Sequence, residues 1–332
     1  MSPPPAAGSP SLAHRIQYGA FRLVRRLLMA LPAWLALGAG EVLGWVAGVI
    51  IRTRRRVVDE NLLQAFPDRD PAWRARVARG AYRHLARESV VTFRMAGASR
   101  KEIRDSVTAD AAVLEAVRAD LAKGRGLVVV SGHLGNWEMG GAWLAANDIP
   151  VDAVVQVQRN RRFDDDLRGV REQLGMRVVP KQKAPRGVLR ALRAGRVAAL
   201  VADQNVARGG IFVDFFGRSA ATARGPAVFA LRSGAPLWLA AAIRTSRHPQ
   251  RYRARLERIA VELTGDLEVD VRRLTEAYTT RLESWIRAEP EQYFWHHKRW
   301  KTRPAILERP SSGDHITSDQ SGSASQLPQE PS

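Results

Sequence analysis

Gly126-Leu127-Val128-Val129-Val130-Ser131-Gly132-His133-Leu134-Gly135-Asn136-Trp137-Glu138-Met139-Gly140-Gly141 is an apolar run that stops at a histidine and, five residues later, a carboxylate. Consecutive β-branched residues bounded by glycines predict a buried strand, and Asn136 before an Ala/Leu-containing segment predicts a helix start. His133 is therefore expected at the strand-to-helix turn. On one ideal helix, five residues would set His133 and Glu138 roughly 140° apart, so they cannot pair as helix neighbours. With His133 in the turn and only Glu138 helical, Gly132 and Gly135 give the backbone freedom to fold the imidazole over the first helical turn. Glu138 is then expected to accept from one ring nitrogen, leaving the other as a base. The plainer alternative is a capped helix with an incidental histidine.

Outward from this stretch, strand-like and helix-like segments alternate. Val151–Val157, Met176–Val179, Val197–Ala202 and Pro236–Arg244 read as strands, with Tyr252–Val261 alternating like an edge strand. Phe163–Leu174, Gly187–Arg193, Gly225–Ser233 and Val269–Ala288 read as helices. This predicts an α/β fold with a mainly parallel central sheet flanked by helices. Before it, residues 71–96 place Val77, Ala81, Leu85, Val90 and Phe93 at helical spacing, and 101–123 is expected to form one further helix.

The chain has 332 residues, no cysteine, and 52 Lys+Arg against 33 Asp+Glu, a net charge of +19. Disulfides, thiolate metal sites and a cysteine nucleophile are excluded. Residues 311–332 hold no lysine or arginine, so the basic surface belongs to the folded part and suits nucleic acid, anionic headgroups or an acidic protein. His14, Arg15, Arg22, Arg25 and Arg26 interleave with Tyr18, Phe21, Leu23, Leu27 and Leu28, a pattern for an anionic bilayer surface. From Leu27 to Ile51 the chain is apolar but broken by Pro32, Glu41 and glycines, and Arg52, Arg54, Arg55 and Arg56 close it. The length can span a bilayer. A mid-span carboxylate costs about 2.5–3.5 kcal/mol, which favours two short helices on or dipping into the membrane; two ordinary core helices are the alternative. The expected organisation is a disordered N-terminus (1–12), a membrane-associated helical segment (13–56), a catalytic domain (57–305) and a disordered tail (306–332).

Gly-His-Leu-Gly-Asn-Trp-Glu after an apolar strand resembles the signature of the lysophospholipid acyltransferase superfamily, and specifically its lipid A biosynthesis acyltransferase branch. Asn61-Leu62 through Phe66-Pro67, Asp203-Gln204, Phe215-Phe216-Gly217 with Thr222 and Gly225, and Pro290-Glu291-Gln292-Tyr293-Phe294-Trp295-His296-His297 with Arg299-Trp300-Lys301 follow in that branch's order. The resemblance implies a glycerol-3-phosphate acyltransferase-like fold with the N-terminal membrane-associated segment. It also implies transfer of a fatty acyl chain from an acyl carrier protein or coenzyme A thioester to a hydroxyl of a lipid A precursor or related glycolipid. No metal or cofactor is expected.

Under that resemblance His133 is the general base and Glu138 its partner. Arg159, Asp203, Gln204 and Asn136 are expected at the substrate or oxyanion, and Arg168, Arg171, Thr222, Tyr293, Trp295 and Arg299 at lipid or phosphate. Asp203 ends a strand, where it is able to hold the histidine or an arginine, or merely cap a turn. Phe215-Phe216-Gly217 suits an acyl-chain groove or a core turn. Tyr293, Trp295 and Trp300 with Lys298, Arg299 and Lys301 suit an interfacial aromatic-basic face. The expected partners are the thioester donor, an anionic glycolipid and the cytoplasmic face of the inner membrane. Nucleic acid ranks low because no RNA-binding signature accompanies the basic residues. Transfer to a phosphatidylinositol mannoside or other lipid, or esterase or thioesterase action by the same dyad, are the alternatives.

Overall fold

Val128, Val129 and Val130 lie at 0%, 5% and 1% exposure in the middle of the central strand, buried on both faces as the unbroken apolar run requires. Each such side chain contributes about 1.5–3 kcal/mol on burial. A computed structural model describes residues 12–304. In chain order its elements are α1 (Leu12–Ala30), α2 (Ala33–Trp45), α3 (Arg55–Ala65), α4 (Pro71–Met95), α5 (Arg100–Ser106), β1 (Val107–Thr108), α6 (Ala111–Ala122), β2 (Leu127–Gly135), α7 (Trp137–Ala146) and β3 (Val151–Val155). There follow α8 (Arg161–Gln173), β4 (Arg177–Pro180), α9 (Ala184–Arg193), β5 (Val197–Val201), β6 (Gly210–Asp214), β7 (Ser219–Ala223), α10 (Gly225–Ser233), β8 (Leu237–Ser246), β9 (Arg251–Ile259) and α11 (Leu267–Ala288). The disordered stretches expected at 1–12 and 306–332 lie outside the described residues, apart from Leu12.

The strands form a seven-stranded sheet in the order β1-β9-β8-β2-β5-β3-β4, parallel throughout except for the β8/β9 pair. Alternate residues of β2 feed two cores. Val128 and Val130 pack with α9, α10 and α11, while Leu127 and Val129 pack with α5, α6, α7 and α8. This is the α/β architecture the alternation predicts.

One local expectation needs correction, and one open alternative is settled. Residues 101–123 are not one helix: Val107 and Thr108 pair in parallel with Tyr252 and Arg253, and Asp110 restarts a helix by accepting from Ala112 N at 2.9 Å. Main-chain pairing with β9 outcompetes helix continuation there, so β9 is covered at one end and is an edge over the rest of its length. The aromatic stretch near 215 is the turn of a separate β6/β7 ribbon, with Phe215 and Phe216 at 1% and 5% exposure. Phe216 has φ +59° and Gly217 φ +70°, a turn held by Asp214 Oδ1 accepting from Gly217 N.

The apolar N-terminal stretch breaks at Pro32 into α1 and α2, and a π-helical turn, Val46–Ile50, extends α2. Ala33–Ile50 is long and apolar enough to cross a membrane, and 28% of it is buried. Its small-residue face lies on α4. A Cβ at Gly44 would stand 2.4 Å from the Tyr82 carbonyl oxygen, and one at Gly48 2.5 Å from the Tyr82 ring. Glu41 turns inward to Arg87 Nη1 at 2.9 Å, so its charge meets a buried guanidinium. Leu12, Ile16, Leu23, Leu27, Trp34 and Ile50 point outward.

Candidate active site

The last turns of β2 are shaped by one glycine. Register with β8 shifts between Ser131 and Gly135, and Gly135 adopts φ +65° with Asn136 N donating to Ala242 O at 2.8 Å. A Cβ at Gly135 would lie 2.0 Å from that carbonyl oxygen, so only glycine fits. Asn136, 2% exposed, caps α7 by accepting from Met139 N at 2.9 Å and donates to Glu88 Oε2 at 2.8 Å. Its side chain is spent on these bonds at the helix start.

His133 lies inside the end of β2, two residues before the strand closes, not in the turn. Its partner is Asp203, which follows β5: Nδ1 stands 2.6 Å from Oδ1, and the His133 amide donates to Oδ2 at 2.8 Å. Burial pushes the Asp203 carboxyl up, but the facing imidazole and the two bonds from His133 outweigh it and hold it below the usual carboxylate range. Gln204 Nε2 is 3.3 Å from His133 Nε2. An acceptor carboxylate at Nδ1 and a donor amide at Nε2 together specify the Nδ1–H tautomer, with the Nε2 lone pair facing outward.

The expected His133–Glu138 pairing is absent. Glu138 sits on the first turn of α7 and accepts three hydrogen bonds from Arg171 of α8, including Nε to Oε2 at 2.9 Å. The guanidinium offers a bidentate partner that imidazole cannot match, while Asp203 reaches the histidine from the neighbouring strand. Of the three roles open to Asp203, holding the histidine, holding an arginine or capping a turn, the structure shows the first.

The remaining expected residues divide. Arg171, Glu138, Gln204 and His133 line one cavity of about 500 Å³. Arg159 is exposed in the loop after β3, outside that lining, and Arg168 pairs loosely with Asp164 on the same helix at 3.9 Å. Arg299, 3% exposed, donates to Ala221 O and Thr222 Oγ1 and stacks on Phe215, so Arg299 and Thr222 tie the ribbon to the C-terminal segment. Tyr293 and Trp295 are 5% and 1% exposed, which corrects the expectation of an interfacial aromatic face. Burial, with Asp203 nearby, raises the Tyr293 hydroxyl well above its ordinary range.

The closing segment instead backs the catalytic strand. Phe294 N donates to His133 O at 3.0 Å, and the Phe294 and Trp137 rings stand 5.6 and 4.8 Å from the imidazole. Asn61 donates to the carbonyls of Trp295 and His297, which explains the Asn-Leu element. His297, the histidine of the closing motif, accepts at Nε2 from Asn205 N at 3.1 Å, a pairing between two distant motifs that the sequence does not show. Burial lowers the His297 imidazole, which keeps it neutral as that acceptor.

The cavity has a polar mouth and an apolar body. Its walls include Val129, Trp143, Leu144 and Phe229, and alanines on four strands, Ala153, Ala199, Ala240 and Ala254, form the sheet side. Small side chains there leave the space between sheet and α7 that larger ones would fill. Among the described residues no group of three His, Asp or Glu converges as a metal site.

The sheet, the histidine at the end of its central strand and the apolar cavity beside it agree with the family relation: the chain belongs to the bacterial lipid A biosynthesis acyltransferase family, whose model matches residues 7–302. It is similar to a phosphatidylinositol mannoside acyltransferase of Mycolicibacterium smegmatis, 35% identical over 119 residues, 35% of this chain and 39% of that protein. A Mycobacterium tuberculosis protein of the same description is 35% identical over 128 residues, 37% of this chain and 40% of that one. The matched region thus spans about 40% of the length of these relatives. The lipid A biosynthesis palmitoleoyltransferase of Escherichia coli is 25% identical over 280 residues, 84% of this chain and 89% of the other.

Proposed function

We propose that the chain is an O-acyltransferase that moves a fatty acyl group from a thioester to a hydroxyl of a glycolipid. The observation that carries the reading is His133, anchored at Nδ1 by Asp203 and opening at Nε2 onto the polar mouth of an apolar cavity. The acyl chain of the donor lies in the cavity with its thioester at the mouth. The acceptor hydroxyl displaces the Gln204 amide from Nε2 and gives its proton to that nitrogen as its oxygen attacks the thioester carbon. Asp203 stabilises the imidazolium so formed. The displaced Gln204 amide is placed to donate to the oxyanion, which collapses as the thiolate leaves and takes the proton from the imidazolium. Glu138 and Arg171 act as a clamp between α7 and α8 that holds the mouth open to one geometry.

An acyl carrier protein thioester is the proposed donor, with coenzyme A as the alternative carrier; the net charge of +19 favours an acidic carrier and an anionic acceptor. The acceptor is a lipid A precursor or a mannosylated phosphatidylinositol, as the relatives' descriptions suggest. The outward apolar side chains of α1 and α2, with arginines on both flanks, support attachment to the cytoplasmic face of the inner membrane. Purified protein is to be incubated with acyl carrier protein and coenzyme A thioesters and a panel of lipid acceptors, with products read by mass spectrometry. Acylated glycolipid is expected, and none with His133→Ala. Free fatty acid with no acylated lipid would mark a thioesterase instead.

A further inference from the structure

His133, Trp137 and Glu138 also border a second recess, on the side of α4. It is small, about 70 Å³, and its other walls include His84, Leu85, Ser89 and Phe294. Leu85 and Ser89 in turn border a larger groove of about 420 Å³ between α1, α2 and α4. The two share those residues as a common border, which sets the groove between the N-terminal helices beside the recess that reaches the histidine. It enters from a different side than the cavity under α7.

The groove is built to take a chain with a polar junction. Phe21, Leu28, Leu43, Val90 and Phe93 supply apolar walls, and the backbone comes close on the α2 side because Gly40 and Gly44 carry no Cβ. Arg25 stands at its rim, 5.1 Å from the Phe93 ring and paired with Asp166 at 3.2 Å. His296, 5% exposed, also borders the groove, and among the described residues neither of its ring nitrogens has a hydrogen-bond partner. A buried imidazole left without partners forfeits the hydrogen bonds it would make in water, so a hydroxyl or ester oxygen arriving there is favoured.

We propose that this groove receives an acyl tail of the acceptor lipid, whose ester or hydroxyl group meets His296 and whose headgroup hydroxyl passes Leu85 and Ser89 to reach His133. The proposal rests on the acyltransferase reading above and assigns separate sites to the two chains: donor under α7, acceptor between α1, α2 and α4. The acceptor need never leave the bilayer, because the groove opens among the outward apolar side chains of α1 and α2.

The test uses the full chain in phosphatidylcholine vesicles containing phosphatidylglycerol with a diazirine in mid-chain. Photolabelling followed by peptide mapping is expected to mark groove residues such as Leu85, Val90 and Phe93. Ser89→Trp, an exposed position at the junction, is expected to cut that labelling about tenfold while labelling at Trp34 and Ile50 stays. Label confined to outward residues, or groove label indifferent to Ser89→Trp, overturns the site. Labelling needs no turnover, so it stands or falls apart from the acyltransferase reading. With the acceptor identified by the panel, Ser89→Trp is expected to raise its KM at least tenfold and leave the donor KM alone. Equal effects on both, or none, overturn the assignment to the acceptor.

Discussion

Replacing Asp203 by Asn separates the two carboxylates near the site, because the shape is kept and only charge and proton inventory change. At 2.6 Å and an effective dielectric constant near 20, the carboxylate stabilises an imidazolium by roughly 6 kcal/mol. The amide retains part of this as a dipole, and water screens the His133 side chain, which is 19% exposed. About half, roughly 3 kcal/mol, is the expected loss in the transition state, or about 100- to 200-fold in kcat. The amide is also able to present its NH₂ to Nδ1, which puts the proton on Nε2 and removes the base altogether. The assay is single-turnover acyl transfer at saturating donor, with the melting temperature as a folding control. Glu138→Gln is run beside it and is expected to act through the loosened Arg171 clamp, with a smaller drop in kcat. A near-normal Asp203→Asn enzyme, or a Glu138→Gln enzyme slower than it, refutes the orientation argued for His133.

His296 is held neutral by burial and by Arg54, with its pKa lowered from 6.5 to about 4. The unfolded chain binds a proton below 6.5 that the folded chain refuses, so stability falls as pH drops from 6.5 to 4, by about 3 kcal/mol from this group; His296→Gln is expected to flatten that part of a Tm-against-pH curve. Arg87→Met strips the partner from Glu41 and from Gln250, bonded at 2.6 Å, and is expected to destabilise by about 3–5 kcal/mol in detergent melts. Gly44→Val pushes α2 off α4, with an expected cost of about 1–3 kcal/mol and increased proteolysis near Pro32. Ala199→Phe fills the cavity from the sheet side, and the preferred thioester is expected to shift to shorter chains in competition assays. An unchanged chain profile would remove the donor chain from that cavity.

Much of the fold was legible because local pattern and tertiary demand agree. The β2 run can satisfy its apolar side chains only between two helix layers, and the strands from Val151 to Arg244 fell near their predicted bounds because apolar runs there end at turn residues. Where long-range pairing intervened, local pattern failed: Val107 and Thr108 follow a helical context, yet β9 offers them main-chain partners. The aromatic closing motif misled for a related reason. Tyr293, Trp295 and Arg299 have amphipathic side chains that suit an interface equally well, and only the packing of Phe66, Phe216 and the β6/β7 ribbon against them makes them interior.

The sequence by itself determined that a histidine would stand where a buried strand gives way to a helix, though it set the histidine in the turn and not in the strand's last residues, that a carboxylate would begin the following helix, and that an apolar, arginine-flanked segment would precede the sheet. These follow from residue type and spacing along one chain. Which carboxylate holds the histidine was decided only by tertiary structure, since strand order sets β5 beside β2 and brings Asp203, seventy residues away, to 2.6 Å, while α8 brings Arg171 to Glu138. Spacing records neighbours along the chain, whereas this site is assembled across strands and helices whose adjacency no local pattern contains.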